Sequence, residues 1–382
     1  MDSEAILTAV QALAPTLRDR VDEIEAQRRV PDDIVAAMQA AGVFRMSMPT
    51  SWGGPELDLW SQVEVVEALA KVDGSLGWYA MIGSDGGFYT SFLDDEVGRR
   101  LWPDLDAVSA GFITPVGTAV ADGDSYVVSG RWAFGSAGRH STWLASGCIV
   151  LDDGELRMGD NGLPELLIAL LPTDACEIHD TWHTTGLRGT ASNDYSVAEL
   201  RVPTERTFKL LFGAPIREGA IYGAGNLFLA NMAGVPLGLA ARAIDELRTV
   251  VTTKRSPSGQ AMSEVPEALA AIAKAELQLA AARALVRETL QDVQTTLAAN
   301  EPLSDRQRAL FRGCLVHASD TGREIALSAF RNGGGSAVYA KNPFDRILRD
   351  ALTAGQHYVF STSVIEDCGR LLLGLRPLGP LM

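Results

Sequence analysis

Apolar positions recur at a helical period over the first hundred residues of the chain. The first stretch repeats every three or four residues, at Ile6, Val10, Leu13, Leu17, Val21 and Ile24. Two further stretches, from Trp60 to Ala70 and from Leu76 to about Phe92, have a similar period. Apolar side chains at this spacing fall on one face of a helix. The pattern therefore predicts an N-terminal helical domain over residues 1–105.

The pattern changes near Ala107 to short β-branched and aromatic runs. These runs are separated by Gly-Asp and Ser-Gly turns, and they continue through LPELLIALLP and DYSVAELRVP. Runs of this kind between turn residues are typical of strands. We therefore predict a central β domain over residues 106–210.

The helical period returns from about Glu218 to the end of the chain. It runs through ANMAGVPLGLAARAIDELRTVV, PEALAAIAKAELQLAAARALVRETLQDVQTTLAA and SDRQRALFRGCLVHASDTGREIALSAF, and a last helix is expected after Pro343. The many alanines favour close packing of helices, as in a bundle. The third predicted domain is a four-helix bundle over residues 211–382, and the fold class is α+β.

Composition narrows the possible partners. The chain has 382 residues with 33 basic and 48 acidic side chains, a formal charge of −15, which argues against nucleic-acid binding because such proteins need a basic surface. Its hydrophobic fraction of 47% predicts a large core. There is no basic N-terminal region and no apolar run of the roughly 20 residues that cross a bilayer. We therefore expect a cytoplasmic protein without a membrane partner.

Cysteine and histidine give no support for a metal site. The four cysteines lie far apart without a CxxC pair, so we expect buried thiols at Cys148, Cys176, Cys314 and Cys368. His179 and His183 are four residues apart in HDTWH, a spacing that converges on a helix but not in a strand-rich segment. We predict no bound metal.

Three further features allow two interpretations each. Gly333 to Gly335 follow a helix, so they form either a helix end with a turn or a close approach to a phosphate, but no P-loop or dinucleotide motif. Ser136 in WAFGSAG lies outside any GxSxG motif, so its hydroxyl serves either a turn or a ligand. His357 follows the Arg349-Asp350 pair and is either a packing residue or a catalytic one.

Several segments, in the same order and spacing, resemble the acyl-CoA dehydrogenase superfamily. They are RVPDDIVAAMQAAGVFRMSMPTSWGGPELD, YVVSGRWAFGSAGRHSTWLASG, TWHTTGLRGTASNDYSVAELRVP and RNGGGSAVYAKNPFDRILRDA. The resemblance implies an acyl-CoA dehydrogenase-like fold, with helical, β and helical bundle domains in that order. It also implies a flavin cofactor and assembly as a homotetramer.

The "RD…H" pattern and WAFGS resemble the flavin-dependent monooxygenase branch of this superfamily, which includes the two-component aromatic hydroxylases and the dibenzothiophene monooxygenases. That resemblance implies that a flavin reductase supplies reduced flavin, usually FMN, with FAD as the alternative. It further implies that O2 forms a flavin hydroperoxide, which transfers one oxygen atom to the substrate.

The resemblance also suggests roles for individual residues. His357 matches a histidine at the reactive flavin edge that orients or deprotonates the substrate, and Ser136 matches a serine that hydrogen-bonds the flavin. The other expected flavin contacts are Trp132, Phe134, Thr114, Gly334, Gly335 and Arg255, the last reaching a flavin phosphate across a subunit interface.

Two departures from the family pattern affect the predicted reaction. Lys341 stands where we expect the catalytic glutamate of a dehydrogenase, and a protonated lysine cannot act as that base. Gly86 stands eight residues after Trp78, where several hydroxylases have a histidine. We expect Gly86 to line a substrate pocket, and Trp52, Phe88 and Tyr89 either form walls of that pocket or pack in the core.

Three functions are consistent with the sequence. The first hypothesis is a reduced-flavin-dependent monooxygenase that acts on a hydrophobic aromatic or polycyclic small molecule. The second is an FAD-dependent acyl-CoA dehydrogenase with a displaced catalytic base. The third is a non-catalytic member that serves as a partner subunit.

Overall fold

The N-terminal part of the protein is helical. The structure, a computed structural model, describes residues 1–159, 162–210, 213–255, 259–379 and 381–382. The first helices are α1 Ser3–Arg18, α2 Val21–Gln27, α3 Asp32–Ala40, α4 Leu59–Val72, α5 Gly74–Gly83, α6 Gly86–Thr90 and α7 Asp95–Leu101. Four of them begin after an aspartate whose carboxylate accepts a backbone N–H of the first turn: Asp2, Asp58, Asp73 and Asp94. These caps satisfy N–H groups that a helix start leaves free.

A mixed sheet of eight strands follows. The strands are β1 Val108–Asp122, β2 Ser125–Gly135, β3 Ser141–Asp152, β4 Glu155–Leu156, β5 Leu166–Pro172, β6 Glu177–His179, β7 Asn193–Pro203 and β8 Thr207–Phe208. Their order is β6-β7-β2-β1-β3-β5-β8, with β4 paired to β3. β1 and β3 are parallel, and the other pairs are antiparallel. Gly123, at φ +63°, lies in the tight turn that joins β1 to β2.

The C-terminal part is again helical. A 3-10 segment, Leu227–Ala233, leads into α8 Gly234–Thr253, which is followed by α9 Pro266–Ala298, α10 Asp305–Asn332, α11 Pro343–Ala354 and α12 Thr362–Leu372. A capping box at Ser304 and Gln307 starts α10, and Pro343 occupies the first position of α11. α10 packs against α8, α9, α11 and α12.

Two hydrophobic cores position these parts. The larger core contains residues of both helical parts, because α8 packs against α4 as well as against α9 and α10. A separate core lies on one face of the sheet and includes Trp132 and Tyr195. The predicted burial of the thiols is confirmed for Cys148, Cys314 and Cys368, and Cys176 is partly buried.

The predicted order of helices, strands and helices is confirmed. The boundary between residues 105 and 106 falls between α7 and β1, but residue 211 lies outside the described residues, so the three domain ranges stay predictions. Among the described residues, one helical stretch, Leu227–Thr253, is long and apolar enough to cross a membrane. Most of that stretch is buried inside the protein, as in a core helix.

Candidate functional site

A chain of buried hydroxyl groups lies just after the end of β2. The indole Nε1–H of Trp78 donates to Ser136 Oγ at 3.1 Å, and Ser136 Oγ lies 2.6 Å from Ser192 Oγ. Ser192 Oγ lies 2.7 Å from Thr190 Oγ1, which donates to the carbonyl oxygen of Leu187 at 2.8 Å. Each of the three hydroxyls therefore has two hydrogen-bond partners, as buried polar groups require.

The direction of this chain follows from its last member. The carbonyl of Leu187 can only accept, so Thr190 gives it the single hydroxyl proton that it has. Ser192 must then donate to Thr190, and Ser136 must donate to Ser192. Ser136 Oγ also accepts from Trp78, which leaves one lone pair as its free hydrogen-bonding capacity. At this point the site offers an acceptor to the N–H of a ligand.

His357 lies next to the same tryptophan. It caps the 3-10 turn Tyr358–Phe360, where its Nδ1 accepts the backbone N–H of Val359 at 3.3 Å. Its ring meets the Trp78 ring edge to face, with centroids 5.5 Å apart, and contacts Phe360 at 6.3 Å. The structure thus brings Ser136 and His357, two predicted site residues, to one indole.

The charge state of His357 follows from its surroundings. Burial lowers the pKa of His357 to about 4, and the guanidinium of Arg312 contributes in the same direction. At neutral pH the ring is therefore uncharged. Because Nδ1 accepts the Val359 N–H, the ring proton is on Nε2, and His357 is a hydrogen-bond donor through that atom.

Phe134 presents an aromatic surface beside the hydroxyl chain. Its side chain is 56% exposed and its backbone has φ +59°, a conformation that is costly for an aromatic residue. Its ring lies 5.7 Å from Phe112 and 6.2 Å from Trp182. A strained backbone that holds an exposed aromatic ring in place is a feature of ligand sites. The three rings and the acceptor on Ser136 fit a planar cofactor with an N–H group, such as a flavin.

The prediction for Trp132 is wrong. This side chain is fully buried in the core of the sheet, stacks on Tyr195 at 5.4 Å and donates its indole N–H to the carbonyl of Gly147 at 2.8 Å. It has no surface left for a cofactor. Its role is to fill the sheet beside Gly117 and Gly130, where even a Cβ atom would collide with its ring.

Thr114 is exposed, as a flavin contact requires. It lies in the part of β1 where the register with β3 shifts between Phe112 and Gly117. In that irregular segment its carbonyl approaches so near Gly147 that a Cβ there would lie 2.5 Å from the Thr114 oxygen. Its contact with the flavin stays a prediction.

Arg255 and the two predicted glycines lie on neighbouring segments. Arg255 and both glycines are exposed, and Gly334, at φ +73°, and Gly335 have open space where a Cβ would stand. Lys254 Nζ donates to Ser336 Oγ at 2.7 Å, which joins the end of α8 to the glycine segment. The Arg255 guanidinium donates to the carbonyl of Gly259 at 2.8 Å. A cation beside open glycine backbone fits a phosphate.

The structure gives Gly86 no open side toward a pocket. A Cβ at this position would lie 2.7 Å from Met48 Cε, 2.8 Å from Trp102 Nε1 and 3.0 Å from Ser109 Oγ. Gly86 is buried, and glycine is the residue that this close packing admits. The expectation that Gly86 lines a substrate pocket is therefore wrong.

The other three predicted pocket residues do not join the cluster around Trp78 either. Phe88 and Tyr89 belong to the main core, where the Tyr89 hydroxyl lies 3.2 Å from a carboxylate oxygen of Asp85. Trp52 is partly exposed and donates its indole N–H to Asp95 at 2.7 Å. Of the two interpretations, the structure favours packing for Phe88 and Tyr89, and Trp52 packs against the edge of that core while part of its ring stays exposed.

Lys341 does not occupy the position of a catalytic base. It is exposed and lines a cavity of about 200 Å³ together with Asp73, Arg346 and Asp350. Trp78, Ser136 and His357 do not line this cavity. The identity of residue 341 therefore gives no evidence for or against dehydrogenation, which corrects the expectation drawn from the sequence.

Asp350 is a residue that the sequence reasoning missed. It is buried on α11, and its Oδ1 accepts the backbone N–H of Leu187 at 2.7 Å. Burial raises the pKa of Asp350 well above its usual range, and the neighbouring Asp73 raises it further. Through Leu187 this carboxyl holds the loop that carries Thr190 and Ser192. The only signal for Asp350 in the sequence is the Arg349-Asp350 pair, seven residues before His357.

His179, at the end of β6, and His183, in the loop after it, have ordinary partners. His179 Nε2 lies 2.8 Å from Ser196 Oγ, and His183 Nε2 lies 3.8 Å from Asp180. Within the described ranges, no three His, Cys, Asp or Glu side chains come together as ligands for a metal.

Known families and proteins match most of the chain. The family model described as acyl-CoA dehydrogenase, N-terminal domain, matches residues 2–105, and the model described as acyl-CoA dehydrogenase, C-terminal domain, matches residues 230–362. An indole-3-acetate monooxygenase from Pseudomonas putida is 29% identical over 375 residues, which cover 97% of this chain and 94% of that protein. A resorcinol hydroxylase from Rhizobium sp., described as FADH2-dependent and as an oxygenase component, is 27% identical over 97% of this chain and 94% of its own length.

Solved structures show the same architecture. The 3-HSA hydroxylase from Rhodococcus sp. RHA1 superposes with a TM-score of 0.90 at 26% identity, over 99% of each chain. The HsaA monooxygenase from M. tuberculosis superposes with a TM-score of 0.91 at 25% identity, over 100% of each chain. Together with the two family models, these matches show that the chain belongs to the acyl-CoA dehydrogenase superfamily and is similar to flavin-dependent monooxygenases of that superfamily.

Proposed function

We propose that this protein is a reduced-flavin-dependent monooxygenase that inserts one oxygen atom of O2 into a hydrophobic aromatic molecule. The observation that carries the proposal is the hydrogen-bond chain that ends at Ser136, beside the neutral His357. When bound, reduced flavin supplies the oxygen-activating chemistry. The residues of this chain then have three tasks, which are to select the reduced flavin, to donate a hydrogen bond near the reacting atoms and to exclude water.

Selection of the reduced flavin follows from the free acceptor on Ser136. The N5 atom of a reduced flavin carries a proton and donates a hydrogen bond, whereas N5 of an oxidised flavin only accepts. Because the Ser136 proton is committed to Ser192, Ser136 Oγ pairs with N–H and leaves a bare acceptor unsatisfied. Ser136 is thus proposed to favour the form that a separate reductase would deliver.

His357 is proposed to donate a hydrogen bond and not to act as a base. Its Nδ1 is occupied by Val359, and its low pKa keeps the ring uncharged, so Nε2–H is its functional group. The ring of Trp78 contacts the His357 ring and donates its indole N–H to Ser136. A fixed donor in a desolvated site stabilises negative charge on an oxygen atom.

The rings of Phe134, Phe112 and Trp182 are proposed to keep water away from the flavin. Water in such a site promotes loss of the activated oxygen as hydrogen peroxide, so excluding it favours transfer to the substrate. The names of the relatives support an aromatic substrate, since indole-3-acetate and resorcinol are both aromatic. The description of one relative as an oxygenase component supports a separate flavin reductase. We propose FMN as the flavin, with FAD as the alternative.

Rapid mixing tests the proposal against acyl-CoA dehydrogenation, which the names of the two matching family models favour. The protein is mixed with reduced FMN or reduced FAD and then with oxygenated buffer, and flavin oxidation is followed by absorbance. We expect oxidation to be delayed by the protein and an added aromatic acid or phenol to be hydroxylated. Undelayed oxidation, together with bleaching of bound FAD by an acyl-CoA, would establish the dehydrogenase and reject the monooxygenase.

A Phe134→Gly variant tests the role of the exposed ring. Glycine adopts φ +59° without strain but costs backbone entropy, so we expect the free energy of unfolding to stay within about 1 kcal/mol of the unmodified protein. Less of the flavin oxidised should appear as product and more as hydrogen peroxide, because the aromatic wall is gone. Glu199→Gly, at another exposed position with positive φ, is the matched control and should leave that ratio unchanged. An unchanged ratio in Phe134→Gly would remove the ring from the site.

A homotetramer is proposed as the functional assembly. Large apolar side chains stay exposed on and beside the last two helices, namely Val338, Tyr339, Leu352, Ile365, Leu372 and Leu373. Exposed apolar patches of this kind mark contacts between proteins. In the assembly we propose that Arg255 reaches the flavin phosphate of a neighbouring subunit. The cytoplasm is the proposed location.

A further inference from the structure

Arg312 is a buried cation without a partner. Its side chain lies in α10 and is 1% exposed, and its Nε and Nη1 atoms have no hydrogen-bond partner. Within the described part of the chain, no carboxylate forms an ion pair with it. A buried guanidinium in this state is costly to the fold, so its presence calls for a function.

None of the described groups around Arg312 forms an ion pair with its guanidinium. α10 packs against the 3-10 turn Tyr358–Phe360 and against α12, which carries Asp367 and Cys368. The carboxylate of Asp367 is occupied, because its two oxygens accept the backbone N–H groups of Leu378 and Gly379 at 2.7 and 2.8 Å. Asp367 thus attracts the Arg312 guanidinium without forming an ion pair with it, and Nε and Nη1 of Arg312 keep no hydrogen-bond partner.

The same turn fixes the proton on the His357 ring. Val359 N–H points at Nδ1, so a proton on Nδ1 would meet another proton. The adjacent cation opposes a second proton on the ring. Both contacts favour a single form, the neutral ring with the proton on Nε2.

We propose that Arg312 is a positioning residue that, together with Val359 N–H, keeps His357 neutral and in the Nε2–H form. This inference rests on the proposed function, in which His357 is a hydrogen-bond donor. In this proposal Arg312, which lies outside the site, prevents His357 from becoming a cation or acting as a base.

The charged and titratable groups that face the turn are consistent with this role. They are Arg312 and Cys314 on α10, Arg323 beside Gly355, Tyr358 in the turn itself, and Asp367 and Cys368 on α12. After burial, Arg312 is the group that lowers the pKa of His357. Burial in turn lowers the pKa of Arg312 to about 10, so its guanidinium stays charged at neutral pH.

Imidazole NMR of the flavin-free protein tests the inference without any need for turnover. The protein has five histidines, so the His357 signals are assigned with a His357→Gln variant. In the unmodified protein we expect nitrogen shifts of an Nε2–H ring and no titration above about pH 5. Arg312→Met should raise the pKa of His357 by about one unit. Arg312→Lys, which keeps the charge, should leave that pKa near its original value.

The control is Arg308→Met, one turn earlier on the same helix. Arg308 bonds to the carbonyl of Met382 and to Asp305, and its loss should not move the His357 signals. The inference is overturned if Arg312→Met and Arg312→Lys both titrate like the unmodified protein, or if the unmodified ring is protonated on Nδ1. If Arg312→Met does not fold, Arg312→Gln, which also removes the charge but keeps a polar side chain, takes its place and should raise the pKa of His357 in the same way. A protein that gives the expected titration but no hydroxylation would reject the proposed function alone.

Discussion

A His357→Ala variant is expected to lose product formation by about 100-fold or more while it still binds reduced flavin. The reason is the geometry of its ring, since Nε2–H is the one polar hydrogen that His357 has left after Nδ1 accepts from Val359. The flavin contacts proposed for Ser136 and Phe134 do not depend on this ring. The measurement is product formed per flavin oxidised, with flavin affinity determined separately by fluorescence quenching.

Two amide variants of His357, each of which replaces one of the two ring nitrogens, separate an effect on catalysis from an effect on folding. The His357→Asn variant places an amide oxygen near the position of Nδ1 and can keep the cap on Val359, but it has no donor at the position of Nε2. His357→Gln places an amide N–H near the position of Nε2. We expect His357→Asn to be stable and inactive, and His357→Gln to retain part of the activity. Equal activity of the two variants, or full activity of His357→Ala, would remove His357 from the mechanism.

The order of the three structural regions was predictable because it depends on local periodicity. Helical spacing at Ile6, Val10 and Leu13 and strand-like runs after Ala107 are each properties of short segments. The shared core of the two helical parts was not predictable in the same way. It forms because α8 packs against α4, and contacts between segments far apart in the sequence leave no periodic signal.

The site was predictable only in part, for a reason that Trp132 illustrates. Trp132, Phe134 and Ser136 are spaced two residues apart and would share one face if β2 ran regularly as far as Ser136. The left-handed backbone at Phe134 and the register shift between Trp132 and Gly135 break that alternation, so Trp132 points into the sheet core. From the sequence alone, Trp78 is not predicted as a site residue. Its contacts with Ser136 and His357 arise from the packing of α5 and have no local signature.

The second large effect is expected for the Gly86→His variant, which introduces the histidine that the resemblance to the hydroxylases implies at this position. A Cβ at this position already lies 2.7 to 3.0 Å from Met48 Cε, Trp102 Nε1 and Ser109 Oγ, and the imidazole needs still more room. Of these neighbours only the end of Met48 can move at small cost, since Trp102 is a buried indole and Ser109 lies in β1. We expect the free energy of unfolding to fall by about 3 kcal/mol and activity to fall with it.

Thermal and chemical unfolding of two glycine-to-alanine variants tests whether close packing around Gly86 causes this loss of stability. Gly86→Ala adds one methyl group against the same three neighbours and should lower the free energy of unfolding by about 1 to 3 kcal/mol. Gly369→Ala, in α12 with open space around its Cβ position, should raise that free energy by up to about 1 kcal/mol. The double variant Met48→Ala/Gly86→His should lose less free energy of unfolding than the sum of the two single losses, because Met48→Ala removes the atom nearest to the new side chain. If Gly86→His alone is as stable as the unmodified protein, the packing around Gly86 is not what keeps histidine out of this position.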